Sequence, residues 1–401
     1  MMSSEERQSA RSAAARERVP RVESRPRRSG EASRRQLDRL AAELHAELGR
    51  RWPSYYPESA EKAPAIALSP RHCGFSVIFK ADLDFARGEH KSLIIKIRRE
   101  QKHGSVLRAD LSERTLALSL AEYEEHLKAY QFFLQRSDEL SVVRPLDFIA
   151  SHNALVVEHA AGSDLATLAK QGGPLASRSI RRCGQWWRLF HHELHQARNR
   201  GWDPAMLDAG LDWRLSRLRD IGAPRSALDD LYREITAAAR RAPAAAVPES
   251  VVHGDCKLRH VWATPRQIQV LDFGNAKSGC SWIDPAALVV ELSLYSLWTR
   301  HLDSGSKVAD IRTLLHAYFE GQPPAAFSFY VVDCLLKKWH RRLRSWGPGA
   351  GLTRIRRSLQ AAGLDKGIER LYVDRWFSGQ IRAWLALADG RPPRWLRSVV
   401  E

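Results

Sequence analysis

The chain has 401 residues, 44% of them hydrophobic and 27% charged, enough for two substantial lobes each with its own apolar core. A formal charge of +17 attracts nucleic acid, anionic headgroups, sugar phosphates or nucleotides, and disfavours a cationic substrate. No uninterrupted apolar run of about 18 residues occurs, the nearest (286–298) being broken by Glu291, so a spanning helix is not expected.

Nothing near the first residues has the apolar texture of a secretory leader. The five cysteines are odd in number and lack C-x-x-C spacing, which sets the expectation of a reducing, cytoplasmic setting without structural zinc. Residues 1–36 carry ten Arg against five Glu and almost no large apolar side chains, and read as a disordered basic tail. An Arg- and Ser-rich transit peptide is the alternative, and the five Glu count against it.

From Ala63 the texture changes to β-forming runs, "APAIALS", "FSVIFKADL" and "SLIIKIRR", expected as three antiparallel strands. The turn between the first two, "SPRHCGFS", holds a single glycine, a poor phosphate-covering loop. A helix is expected over about Glu113–Arg136. On a wheel of about 100° per residue, Leu116, Leu120, Tyr123, Leu127, Tyr130 and Leu134 form one apolar line. Glu124 falls on its shoulder, whereas Glu122 and Glu125 point well away.

Two further strands, "VVRPLDFIA" and "ALVVEHAAG", are joined by "SHN". Five strands and one helix therefore precede residue 165, and the remainder reads as mainly helical, with no internal repeat. The exception is a small hairpin expected from Ser250–Val252, Val261–Ala263 and Gln267–Leu271. The chain divides into the tail (1–36), a sheet-plus-helix lobe (37–158) and a helical lobe (159–401).

The chemistry concentrates in "VHGDCKLRHVW" and "VLDFGNAK". Phosphoryl transfer asks for a phosphate cradle, a carboxylate-held metal and a group that orients the acceptor hydroxyl. Lys96, on the strand "LIIKIRR", is placed to meet nucleotide phosphates, with Glu124 on the next helix as its partner. The same residues on a solvated strand and helix flank would have no such role. Asp255, in a loop after a strand, can orient or accept a hydroxyl proton, and Lys257 can neutralise the transferring phosphoryl group. Asp272 closes the next strand ahead of Phe273 and Gly274, where a flexible backbone lets a carboxylate turn to a metal. Each Asp alone is equally a turn cap. It is their order along the chain that favours chemistry.

In these motifs the chain resembles the aminoglycoside phosphotransferase and choline kinase branch of the protein-kinase-like superfamily, over most of residues 63–390. The resemblance implies an α+β, bilobal protein-kinase-like fold with a small five-stranded antiparallel sheet plus helix, and an ATP- and magnesium-dependent phosphotransferase acting on an alcohol group. It implies Lys96 as the nucleotide lysine, Glu124 as its partner, and "VVEHAAG", with Glu158 and Ala160, as the hinge that holds adenine through its backbone. Asp255 would be the catalytic aspartate with Lys257 beside it, Asp272 a magnesium ligand, and Asp284 in "GCSWIDPAAL" a brace for the catalytic loop. His260 stands where an Asn is expected to bind the second metal. Magnesium prefers oxygen, yet "DCKLRHVW" is similar to the loop of bacterial lipopolysaccharide core heptose kinases, which carry His there.

That similarity and the basic charge point to an anionic, hydroxyl-bearing acceptor such as a lipopolysaccharide core sugar, with peripheral association at the inner membrane and nucleic acid as the less favoured partner. Two rival classes stand beside the enzyme: a non-catalytic pseudokinase, and a basic membrane- or RNA-docking module. "HHELH" lacks the His-Glu-x-x-His spacing of a zinc site because residue 196 is Gln, so His191, His192 and His195 read as packing or surface residues. "KKWHRRLRSW" and "RIRRSLQ" read as the solvated face of an amphipathic helix, or as a contact for phosphorylated glycolipid or nucleic acid. The thirteen Trp are read mostly as core fillers.

Overall fold

The computed structural model describes residues 29–59, 62–72, 74–86, 88–101, 104–298, 304–344 and 366–400. The segment 1–28 of the expected tail lies outside them, but Ser29–Tyr55 forms a helix, α1, that begins inside the stretch read as disordered. Its Leu37, Leu40, Leu44, Leu48, Trp52 and Tyr55 recur at helical spacing and are all buried. Charged neighbours dilute that stripe, which hid it in the composition. Arg51 and the Tyr55 hydroxyl both bond Asp147, each at 2.8 Å, and fasten the helix across the sheet.

Behind α1 lies an antiparallel sheet in the order β1 (Ala65–His72), β2 (Ser76–Asp84), β3 (His90–Arg98), β6 (Ala154–Glu158), β5 (Pro145–Ile149). These are the five strands expected from the sequence. One face of β2 and β3, with Val77, Phe79, Ala81, Leu83, Leu93, Ile95 and Ile97, packs with α1 into one core. Alternation sends Lys96 and Arg98 to the opposite face, toward α2 (Glu113–Leu134).

The α2 helix is capped by Ser112, whose side chain accepts the Thr115 N–H, but it does not bury the expected face. Leu120 and Leu134 are exposed, and the buried positions are Thr115, Ser119, Glu122, His126, Ala129 and Phe133. The wheel followed apolar side chains. The packed face instead carries small and polar groups that meet specific partners: Ser119 receives the Asn153 amide at 3.0 Å, and a His126 ring nitrogen bonds the Val143 carbonyl at 2.6 Å.

Beyond Glu158 the chain passes β7 (Ser163–Asp164), α3 (Leu165–Gln171) and α4 (Gly173–Leu189) into a large helical core. There β4 (Leu140–Val142) pairs in parallel with β11 (Ile268–Val270), which pairs with β10 (Val261–Ala263), which pairs with β7. The expected three-part hairpin is therefore corrected. Ser250–Val252 belongs to β9 (Ala246–Val252), in a separate sheet with β8 (Arg198–Gly201) and β12 (Lys277–Cys280). The His-Gly-Asp turn takes the chain out of one sheet before β10 joins the other.

Helices α5 (Ala205–Asp220), α6 (Arg225–Arg241), α7 (Ile283–Trp298), α8 (Ser304–Phe319), α9 (Phe327–Arg344), α10 (Lys366–Ala388) and α11 (Arg394–Val400) complete the larger lobe. Trp186, Trp187, Trp339 and Trp384 are fully buried, in keeping with Trp as core filler. Trp339 also bonds Asp374 at 2.7 Å, while Trp346 and the whole of "RIRRSLQ" lie outside the described residues. Among the described residues no helix is long and apolar enough to cross a membrane.

Candidate active site

Lys96 Nζ donates to Glu122 Oε1 at 2.6 Å and also bonds Asp272 Oδ1, joining the sheet, the helix and the later motif at one point. Burial disfavours its charge, but the two carboxylates outweigh burial and hold the ammonium pKa above the ordinary value. The expected partner, Glu124, is exposed and takes no part. Two positions on a helix are about 200° apart, so mistaking the buried face of α2 exchanged the two glutamates. Arg98 extends the group, reaching Glu122 Oε2 at 3.0 Å and the Gly274 carbonyl at 2.8 Å. A Cβ on Gly274 would lie 2.5 Å from Arg98 Nη2 and 2.7 Å from Glu122 Oε2, so any side chain there would push both of these side-chain ends aside.

The His-Gly-Asp segment is held by Asp284 at the start of α7. Its carboxylate accepts the His253 N–H at 2.7 Å and the Gly254 N–H at 3.2 Å, and it faces the buried His191 ring at 3.1 Å. Gly254 has φ +75°, and a Cβ there would meet the Asn275 carbonyl oxygen at 2.4 Å. The turn thus delivers Asp255 to the cleft, where Lys257 Nζ bonds Asp255 Oδ2 at 2.5 Å. Sequence reading missed Glu291, on the next two turns of α7. It accepts the Leu258 N–H at 3.3 Å and is also bonded by Lys338 of α9. No local motif marks Glu291; its place follows only from the packing of α7 under the loop.

His260 sits between the two aspartates. Nδ1 is 3.1 Å from the Asp255 carbonyl oxygen, and an oxygen can only accept, so Nδ1 carries the proton. In the neutral ring Nε2 then presents a lone pair, and it faces Asp272 Oδ2 at 3.4 Å. Burial is the leading influence on this ring, pushing its pKa down to about 4 against the pull of Asp272, so the neutral form prevails near pH 7. Burial pushes the Asp272 carboxyl up, but Lys96 and then His260 more than offset it, leaving it well below the usual carboxylate range. A lone pair aimed at a carboxylate is unfavourable unless a cation lies between them. One ligand atom from each of Asp255, His260 and Asp272 falls within 4.8 Å of the others.

Asp272 has φ +73°, a left-handed conformation that a non-glycine residue adopts at a cost of order 1–3 kcal/mol. What holds it is the next residue. Phe273 is buried among His126, His253, Phe190 and Trp186, at centroid distances of 5.1, 5.2, 6.0 and 6.3 Å.

At the hinge, Glu158 N–H donates to the Arg144 carbonyl at 2.9 Å, and the Glu158 side chain meets Arg144 Nη1 at 3.2 Å. His159 N–H bonds the Ser92 carbonyl at 2.8 Å and Ala161 N–H bonds the Gln269 side chain at 3.1 Å. Among the described residues the Ala160 N–H between them has no backbone acceptor. Ala160 and Val157 pack with Ile94, Trp262 and Leu271 in a small apolar cluster that both lobes contribute to. At the β1–β2 turn, Phe75 is exposed and Cys73 lies outside the described residues.

Over residues 94–328 the chain matches the phosphotransferase enzyme family, and it belongs to that family. Among solved structures it is similar to a choline/ethanolamine kinase family protein from Mesorhizobium loti, at 16% identity and TM-score 0.47, covering 83% of this chain and 91% of that one. It is also similar to a macrolide 2'-phosphotransferase from Brachybacterium faecium, at 15% identity and TM-score 0.44, covering 82% and 97%. An amicoumacin kinase is similar at 12% identity and TM-score 0.48, covering 90% and 96%. No curated protein sequence matches the chain.

Proposed function

We propose that this phosphotransferase moves the γ-phosphoryl group of ATP to a hydroxyl of an anionic small molecule or glycan, such as a lipopolysaccharide core sugar. The observation that carries the reading is the convergence of Asp255, His260 and Asp272 on one point, with Lys96 bonded to the same Asp272. Two carboxylates and a lone-pair nitrogen, with Lys96 at Asp272 and Lys257 at Asp255, form a donor set that suits a divalent metal. Asp272 and His260 would hold it, with Asp255 at the edge. Magnesium bound there supplies charge neutralisation for the phosphate oxygens.

In this reading the adenine edge meets the Ala160 N–H and the Glu158 backbone, and its faces lie against Ile94, Leu271 and Trp262. Lys96, oriented by Glu122, meets the α- and β-phosphates. Asp255 orients the acceptor hydroxyl and receives its proton as the acceptor oxygen bonds to the γ-phosphorus. The bond from that phosphorus to the β,γ-bridging oxygen breaks, giving ADP and a phosphate monoester. Lys257 leaves Asp255 for the transferring group, which frees the carboxylate for the hydroxyl and neutralises developing charge. The charge of +17, with Lys257, Arg259 and Lys338 on or tied to the loop, supports an anionic acceptor.

The test is a phosphotransfer screen with labelled ATP over anionic glycans, neutral sugars and aminoglycosides. Transfer to an anionic hydroxyl compound, lost in Asp255→Asn, is expected. Transfer to aminoglycosides alone would overturn the acceptor class, and transfer to no acceptor by a protein that binds nucleotide would overturn the enzyme.

A further inference from the structure

On the outer side of the helical lobe, α5 and α9 pack together through a shared ion-pair group: Arg214 of α5 bonds Asp333 of α9, and Lys337 pairs with the same carboxylate at 2.7 Å. Along α9, Asp333, Lys337, Arg341 and Arg344 succeed one another at three- and four-residue steps, which sets them on one face. Along α5, Arg214 and Arg217 flank Trp213, their guanidinium carbons 5.1 and 5.3 Å from its ring centroid. Trp213 is 44% exposed, the one tryptophan among the described side chains that is not at least partly buried. His340 lies inside the same field: burial first, then Arg217, Arg344, Arg214 and Arg341, push its pKa down. Arg217, Arg341 and Arg344 are exposed, and among the described residues none of them has a carboxylate partner.

We infer that this α5–α9 face, with Trp213 and Arg217 on α5 and Arg341 and Arg344 on α9, docks the protein on an anionic lipid surface. Unpaired cations side by side repel one another and gain most where negative charge is dense and continuous, as at an anionic bilayer. A single half-exposed indole among them matches the headgroup level, where an amphipathic ring is favoured. Single-stranded RNA is the poorer fit, because its recognition uses successive aromatic platforms, and this face has one. The face is also coupled to the candidate site. Lys338, beside Lys337 on α9, bonds the Glu291 that accepts the N–H of Leu258, the residue directly after Lys257. Docking would therefore hold the catalytic loop near the bilayer, where a lipid-linked hydroxyl is available. The binding itself needs no nucleotide, so it stands or falls separately from the phosphotransfer reading.

The experiment is vesicle co-sedimentation of the full chain, without nucleotide, on phosphatidylcholine with and without phosphatidylglycerol. Wild type is expected to bind only the anionic vesicles and to be released by salt. Joint Arg217→Glu, Arg341→Glu and Arg344→Glu substitution is expected to weaken binding about 100-fold or more, at roughly a fivefold step for each positive charge lost near the surface. Arg→Gln at the same three positions should give a smaller loss, and Trp213→Ala a partial one. The control carries the same charge change on the other lobe, at the exposed Arg71, Arg108 and Arg114, and should bind nearly as wild type. Equal loss in both triple variants would assign the effect to net charge and overturn the inference, as would absence of wild-type binding. Tighter, patch-dependent binding to single-stranded RNA than to vesicles would overturn the lipid assignment.

Discussion

His260 Nε2 faces Asp272 Oδ2 at 3.4 Å while Nδ1 is turned to the Asp255 carbonyl oxygen at 3.1 Å. The ring is thereby fixed with its lone pair toward a carboxylate, an arrangement a cation would relieve. His260→Ala is expected to lower magnesium affinity in nucleotide binding by about 10–100-fold or more, since losing even a group that only orients a metal ligand costs that much. His260→Asn should keep a good part of it, since an amide oxygen suits magnesium. Isothermal titration of nucleotide at varied magnesium, with phosphotransfer rates, checks both. Equal magnesium dependence in all three proteins would remove His260 from the site.

The two glutamates of α2 give a second comparison. Glu122 is buried and holds both Lys96 and Arg98, so Glu122→Ala leaves Arg98 without a carboxylate and Lys96 with Asp272 alone, and is expected to cost about 3–5 kcal/mol of stability. Nucleotide affinity should fall with it. Glu124→Ala, on the exposed side, should stay within about 0.5 kcal/mol. Urea unfolding measures the difference, and similar values for the two variants would contradict the pairing seen here.

The contrast between these neighbours shows what a sequence can carry. The strands were legible because apolar alternation and the turns between them are local, and the His-Gly-Asp and Asp-Phe-Gly segments because their spacing is local too. The face of α2 was not. Its buried side bears Ser119, Glu122 and His126, whose partners Asn153, Lys96 and Val143 come from other elements. Glu291 and Arg98 were invisible for the same reason, as their roles depend on the Leu258 N–H and the Gly274 carbonyl. Helix α1 was lost differently, since charged residues between its leucines masked a stripe that only the sheet explains.

For the chemical step, Asp255→Asn keeps the shape of the side chain and removes its capacity to take a proton. The expected result is a kcat lower by about 10²–10⁴ with nucleotide still bound. Asp272→Ala differs because the same carboxylate bonds Lys96 and faces His260, so magnesium-dependent nucleotide binding should disappear. Single-turnover phosphotransfer and equilibrium binding separate the two effects. A near-normal kcat in Asp255→Asn would take that residue out of the proton path.

His126 ties pH to stability. The ring nitrogen Nε2 bonds the Val143 carbonyl at 2.6 Å and so carries the proton, and among the described residues the buried Nδ1 has no partner. Charging the ring would place a second N–H where nothing accepts it, and burial, the largest influence, pushes its pKa down from 6.5 to about 4. The folded state therefore resists a proton that the unfolded state takes up. The stabilisation is complete above about pH 6.5 and is lost as pH falls toward 4, with a slope approaching about 1.4 kcal/mol per pH unit from this one ring. His191 and His260, also held low, add to that slope. His126→Gln has no proton to gain and can still donate toward Val143, so its unfolding free energy should fall less steeply between pH 6.5 and 4. Urea titrations at half-unit steps in pH give both curves, and parallel curves would mean that His126 is not held neutral by the fold.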